Sequence, residues 1–196
     1  MNATSLSLLE RASQSSDAQS WNQLVAIYRP LLQHWLNRYQ VQPSDADDLI
    51  QEVLTAVVRD LPNFRHNERV GAFRNWLRTM LVYRLKSYWR ANQNRPQPVG
   101  GSEFVARLHE LEDGKSGISR LWNEEHDAYL IKQLSQTIQP RFDTKTWDAY
   151  ERQVRGGQNA KEVAREMGLS LSSVYAAKSR VLHALRQESQ GLLDTN

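Results

Sequence analysis

Cysteine is absent from the 196 residues, so no disulfide framework and no thiolate metal site can form. That suits a reducing compartment. There is no long apolar run, and the N-terminus lacks the charged-then-apolar build of a secretory leader. A soluble, cytoplasmic chain without membrane insertion is expected. The five histidines, His34, His66, His109, His126 and His183, are scattered. None stands at ligand spacing from the carboxylates Asp45, Asp48 and Glu52, and no Gly-rich phosphate loop is present. Metal, cofactor and catalytic residues are therefore not expected, and the chain does not read as an enzyme.

Net charge is only +3, which excludes little. Its distribution says more. Between Val41 and Pro62 there are five carboxylates, Asp45, Asp47, Asp48, Glu52 and Asp60, against Arg59 alone. Between Arg65 and Arg95 there are eight cations against Glu68. An acidic block beside a basic one suggests two partners of opposite character.

Hydrophobic period predicts helices throughout. Leu6 to Ala12 reads as a short one. Asp17 is placed to cap a second, with Trp21, Leu24, Ile27 and Tyr28 inward, and Pro30 is expected to break or restart it. Leu31, Leu32, Trp35, Leu36 and Tyr39 continue the period as core. Pro43-Ser44 opens the next helix, with Ser44 and Asp47 resembling a capping box. Its buried stripe is Leu49, Ile50, Val53, Leu54, Val57, Val58 and Leu61. Asp45, Asp48 and Glu52 share the opposite, wet face. Capping and the helix dipole account for the first turn, but not for Glu52; a docking face for a basic surface would.

The loop Pro62 to Arg69 leads into Gly71–Arg90. There Phe73, Trp76, Leu77, Met80, Leu81 and Tyr88 form one apolar face. Arg74, Arg78, Lys86 and Arg90 make a four-residue ladder along another. Trp76, Tyr83, Tyr88 and Trp89 lie among these cations. Two accounts of this helix are open: core aromatics beside a solvated basic face, or a groove in which cations meet phosphates and rings meet unstacked bases. Phe64 and Asn67 in the preceding loop could address a base.

From Ala91 to Ser119 the period fades and Pro and Gly accumulate, which reads as a linker holding a short helix near Phe104 to Leu111. Leu121 to Ile138 is helical again. Asp143 or Thr144 caps a helix ending at Gly156-Gly157, and Asn159 with Glu162 forms a capping box. Ala160 to Arg186 then has helix-turn-helix spacing: small Ala164, Gly168 where the turn needs positive φ, and β-branched Val174. Ser170 caps the second helix. Val174, Ala177, Val181, Leu182 and Leu185 face in; Ser172, Ser173, Tyr175, Ala176, Ser179, Arg180 and His183 face out, flanked by Lys178 and Arg186. Such a helix presents its N-terminal half to base edges. Arg180 has the fork for a guanine edge, and Arg155 and Lys161 stand where backbone phosphates would lie.

These pieces in this order resemble a bacterial RNA polymerase sigma factor of the extracytoplasmic-function (ECF) group of the sigma-70 family. The carriers are Tyr28-Arg29-Pro30-Leu31-Leu32, Asp45-Ala46-Asp47-Asp48-Leu49-Ile50-Gln51-Glu52-Val53, Phe73-Arg74-Asn75-Trp76-Leu77, and the pair from Glu162-Val163-Ala164 to Ser179-Arg180-Val181. The resemblance implies an all-α chain of two small helical domains: a sigma-two-like domain over 1–92 and a sigma-four-like helix-turn-helix domain over 121–196. A flexible linker, 93–120, would join them and thread toward the polymerase channel. It also implies roles. Asp45, Asp48, Gln51 and Glu52 would grip the clamp of the polymerase's largest subunit, and the C-terminal domain would meet the flap. Phe64, Arg65, His66 and Asn67 would capture a flipped base of the minus-ten element. Arg74, Trp76, Arg84, Lys86, Tyr88 and Trp89 would line the melting strand. Arg155, Lys161, Ser172, Ser173, Tyr175, Ala176, Lys178, Ser179 and Arg180 would read the minus-thirty-five element. An anti-sigma factor is a further expected partner. The stretch Met80 to Trp89 is richer in aromatics than the family pattern, and the linker aligns with nothing. The chain runs three residues past Leu193, so no additional regulatory domain is expected. A helix-turn-helix regulator that binds duplex DNA without being a polymerase subunit is the alternative; it has no need of the acidic-then-basic pair.

Overall fold

The computed structural model describes residues 7–13, 18–64, 71–92 and 101–193. Among these the fold is all-α: α1 (Leu8–Ser13), α2 (Ala18–Arg38), α3 (Pro43–Asp60), α4 (Ala72–Ala91), α5 (Gly101–Glu112), α6 (Gly117–Ile138), α7 (Thr144–Val154), α8 (Ala160–Met167) and α9 (Leu171–Ser189). The expected cap Asp17 lies outside the described residues.

α2 runs unbroken through Pro30, contrary to the expected break. Proline removes one intrahelical hydrogen bond, to the carbonyl four residues back. Ala26 and Pro30 are both exposed, so water can take that carbonyl. The capping box expected at Ser44 is also corrected. Pro43 is the first helical residue and Gln42 occupies the cap without a side-chain bond; proline favours the first helical position, which puts Ser44 inside the first turn rather than at the cap. Val58, expected in the buried stripe of α3, is exposed.

The other caps match the pattern. Asp143 accepts from the Thr146 amide, and Asn159 and Glu162 form a reciprocal capping box. Ser170 accepts from the Ser173 amide. Gly168 sits at φ +63°, where a side chain would be strained. α8 and α9 therefore meet across a three-residue turn, closed by Val163, Val174, Ala177 and Ala149 of α7.

One large core draws on α1 to α6 and on Leu192 and Leu193 past the end of α9. At its centre the rings of Trp35 (α2) and Trp122 (α6) lie 5.0 Å apart, edge to face, and both are fully buried. Edge-to-face pairing brings a positive ring edge onto a negative face. The short helix expected near 104–111 is α5, and its Phe104, Leu108 and Leu111 are buried in this same core. Glu188, at the end of α9, is buried between Arg11 of α1 at 2.7 Å and Arg141 at 3.3 Å.

Candidate nucleic-acid and protein interfaces

α3 and α4 pack side by side, so the acidic and basic blocks become neighbouring surfaces. Asp48, Gln51 and Glu52 are exposed on α3. They border a shallow cleft of about 540 Å³ with Thr55, Arg59 and Arg84 of α4. Asp45 is different: half-buried, it accepts a hydrogen bond of 2.8 Å from the Tyr88 hydroxyl of α4. Glu52 stands 3.3 Å from Arg84.

α4 starts at Gly71, which has φ +75°; a Cβ there would lie 2.6 Å from Nε of Arg74. The positive φ favours glycine there, and the Arg74 guanidinium folds into the space a side chain would take. α4 buries more than the single apolar face read from sequence. Phe73, Leu77 and Leu81 are buried as expected, and so are Arg78, Val82 and Leu85. Trp76, Met80 and Tyr88 are half-buried.

The basic ladder is not a solvated row. The Arg74 side chain is 11% exposed and its Nη1 lies 2.7 and 3.0 Å from the two oxygens of Asp127 on α6. The Arg74 carbonyl accepts from Trp122 Nε1 at 3.2 Å. Arg78 is 7% exposed. Burial holds its pKa below the usual arginine value, Arg74 lowers it further and Asp113 partly opposes. Lys86 donates to Glu112 of α5 at 2.7 Å. Burial and then Asp127 push the Tyr28 hydroxyl well above its ordinary pKa, and that hydroxyl lies 3.1 Å from His126 Nε2.

The rings are partnered as well. Phe64 packs 4.8 Å from Trp76 and edge-on to Phe73 at 5.7 Å. Trp89 stacks on Phe104 of α5 at 4.6 Å. Arg65, His66 and Asn67 lie outside the described residues. The partners Phe104, Glu112, Trp122 and Asp127 are what sequence reasoning missed at this face, because pairing across the chain leaves no local mark.

On α9 the expected outward set is outward. Ser172, Ser173, Tyr175, Ala176, Ser179, Arg180 and His183 are exposed and Lys178 is half-buried. Arg180 donates to the Thr146 hydroxyl of α7 at 3.3 Å. Ser170 shares its hydroxyl with Ser172 and Ser173 at 2.9 and 2.7 Å. Arg155 and Lys161 are exposed, the first 3.1 Å from Glu151.

Residues 24–95 match the family model for Sigma-70 region 2. The match takes in α2 from Leu24, then α3 and α4, and stops short of α5 to α9. It covers a little over a third of the chain and supports, in general terms, a sigma-70 type sigma-factor role. No curated protein matches the chain. Among the described residues no helix is long and apolar enough to cross a membrane.

Proposed function

We propose that the chain is a promoter-specificity subunit of the ECF type. It directs core RNA polymerase to chosen start sites and performs no covalent chemistry. The observation that carries this is the Sigma-70 region 2 match falling on the two helices that bear the acidic and basic faces. In this account Asp48, Gln51 and Glu52, with Asp45 at the edge, dock the largest-subunit clamp. The loop at 64–67 and the α4 residues Arg74, Trp76, Arg84, Lys86, Tyr88 and Trp89 take the opened minus-ten strand. The α8–α9 pair reads the minus-thirty-five element, with Tyr175, Ser172, Ser173, Ala176, Lys178, Ser179 and Arg180 at bases and Arg155 and Lys161 at phosphates. Residues 1–92 and 121–196 act as two functional units joined through 93–120, although α5 and α6 share the core of α1–α4 in this structure, and the protein works in the cytoplasm.

Charge complementarity gives the test. Asp48 is exposed and outside the core, so Asp48→Arg should leave the thermal transition in place. It should abolish co-purification with core polymerase, because a like charge now faces a basic surface. Unchanged binding would remove the docking role. The exposed face of α9 equally suits a regulator that binds duplex DNA alone. That reading requires full sequence-specific binding without polymerase and no effect of Asp48→Arg.

A further inference from the structure

Lys86 and Trp89 are both held by α5. The Glu112 carboxylate accepts from the Lys86 ammonium at 2.7 Å. The Phe104 ring lies 19° from parallel to the Trp89 indole at 4.6 Å. A carboxylate on an ammonium and a flat ring on an indole are the contacts that a phosphate and a base would make on the same helix.

Arg78 lies beneath the same element. It is nine-tenths buried, yet its Nη1 has no hydrogen-bond partner. A Cβ on Gly114, in the turn after α5, would stand 3.3 Å from Nη2. With Tyr83, Lys86, Leu111 and Glu112 it lines a crevice of about 130 Å³ between α4 and α5. Asp113 acts on this cation only through space, and a buried guanidinium nitrogen with no bonded partner opposes the closed arrangement. α5 is seated by Phe104, Leu108 and Leu111, by the Tyr39 hydroxyl on the Arg107 carbonyl at 3.2 Å, and at its C-terminal end by the Ser119 hydroxyl on the Leu111 carbonyl at 2.9 Å and the Ser116 and Ser119 hydroxyls on the Glu110 carbonyl. α6 is set far deeper, through Trp122, His126, Leu130 and Leu134. The element able to lift is therefore α5.

We propose that α5 is an internal stand-in for a nucleic-acid strand. In the free protein it rests on α4, with Glu112 in the place of a phosphate and Phe104 in the place of a base. A single strand displaces it, stacks on Trp89, and supplies a phosphate oxygen to the unbonded Nη1 of Arg78. This rests on the strand-binding role given to α4 above.

The test is hydrogen exchange with and without a single-stranded oligonucleotide at low salt, paired with anisotropy titrations of four forms. These are the wild type, Glu112→Gln with Phe104→Ala, Arg78→Met, and all three substitutions together. On binding, the α5 amides should lose protection while α4 gains it. The double variant should bind about tenfold tighter, since it no longer competes with its own helix. Adding Arg78→Met to it should reverse most of that gain and lower the salt slope by about one. Arg78→Met alone should not lower the thermal midpoint, since it removes an unsatisfied charge. Binding that leaves α5 protected, or is equally tight in wild type and double variant, overturns the proposal and leaves the strand-binding role standing. So does a lowered midpoint for Arg78→Met, which would make that cation structural. No binding by any form sinks the strand-binding role of α4, and this proposal with it.

Discussion

The α4 face and the outer face of α9 are made from the same kinds of side chain, but they stand in opposite states. On α4, Arg74 is tied to Asp127, Lys86 to Glu112, Tyr88 to Asp45 and Trp89 to Phe104. On α9, Tyr175 is 57% exposed and its neighbours Ala176 and Ser179 face solvent. Cations and rings that meet carboxylates and rings of their own chain contribute to folding; those left in water contribute only when a ligand arrives. Substitutions on the two faces should therefore separate, with stability lost at α4 and binding lost at α9.

The largest effect expected is at the seat of α6 against α2 and α4. Trp122→Ala should cost about 3–5 kcal/mol in urea unfolding, the range for a fully buried aromatic. A loss below about 1 kcal/mol, an ordinary exposed-site value, would mean that α6 is not seated there. Next comes the ion pair beside it. Asp127→Ala leaves a nearly buried guanidinium without its carboxylate and should cost about 1–3 kcal/mol. The same substitution at an exposed pair such as Arg155–Glu151 should be nearly silent.

A smaller effect should appear with pH. The bond from Lys86, then the charges of Lys86 and His109, hold the Glu112 pKa below the usual glutamate value. A carboxylate with a lowered folded pKa stabilises fully above its unfolded pKa, about 4.3, and loses that contribution as pH falls through the folded value. Protection of the α5 amides should therefore weaken as pH drops below about 4, and Glu112→Gln should flatten that dependence. An identical pH profile in the variant would detach α5 from this pair. The smallest stability effect is on the other face: Tyr175→Ala should shift unfolding by no more than about 0.5 kcal/mol, while lowering affinity for duplex promoter DNA. A large stability loss would place Tyr175 in the fold and end the contrast.

Much of this was legible in the sequence because its causes are local. The turn at Gly168, the Asn159–Glu162 box and the inward Val174, Ala177 and Val181 follow from spacing within one or two helical turns. Ser44 misled because the pattern of a capping box ignores that proline favours the first helical position, which moves the cap back to Gln42. Pro30 misled because breaking a helix depends on whether the freed carbonyl reaches water. Arg78 was legible in part: it is in register with Val82 and Leu85, four and seven residues on, and that stripe marks a second buried face of α4. A cation in the stripe disguised it. The contacts of Glu112, Phe104 and Asp127 with α4 link residues 15 to 53 apart, and no helical period encodes them.

Multi-round transcription by core polymerase from a pool of promoter fragments tests the central claim most directly. With the wild-type chain, transcripts should start at a small, shared subset of sequences, and with Asp48→Arg they should vanish although the chain remains folded. Random starts, no starts, or a subset unaffected by Asp48→Arg would contradict the account.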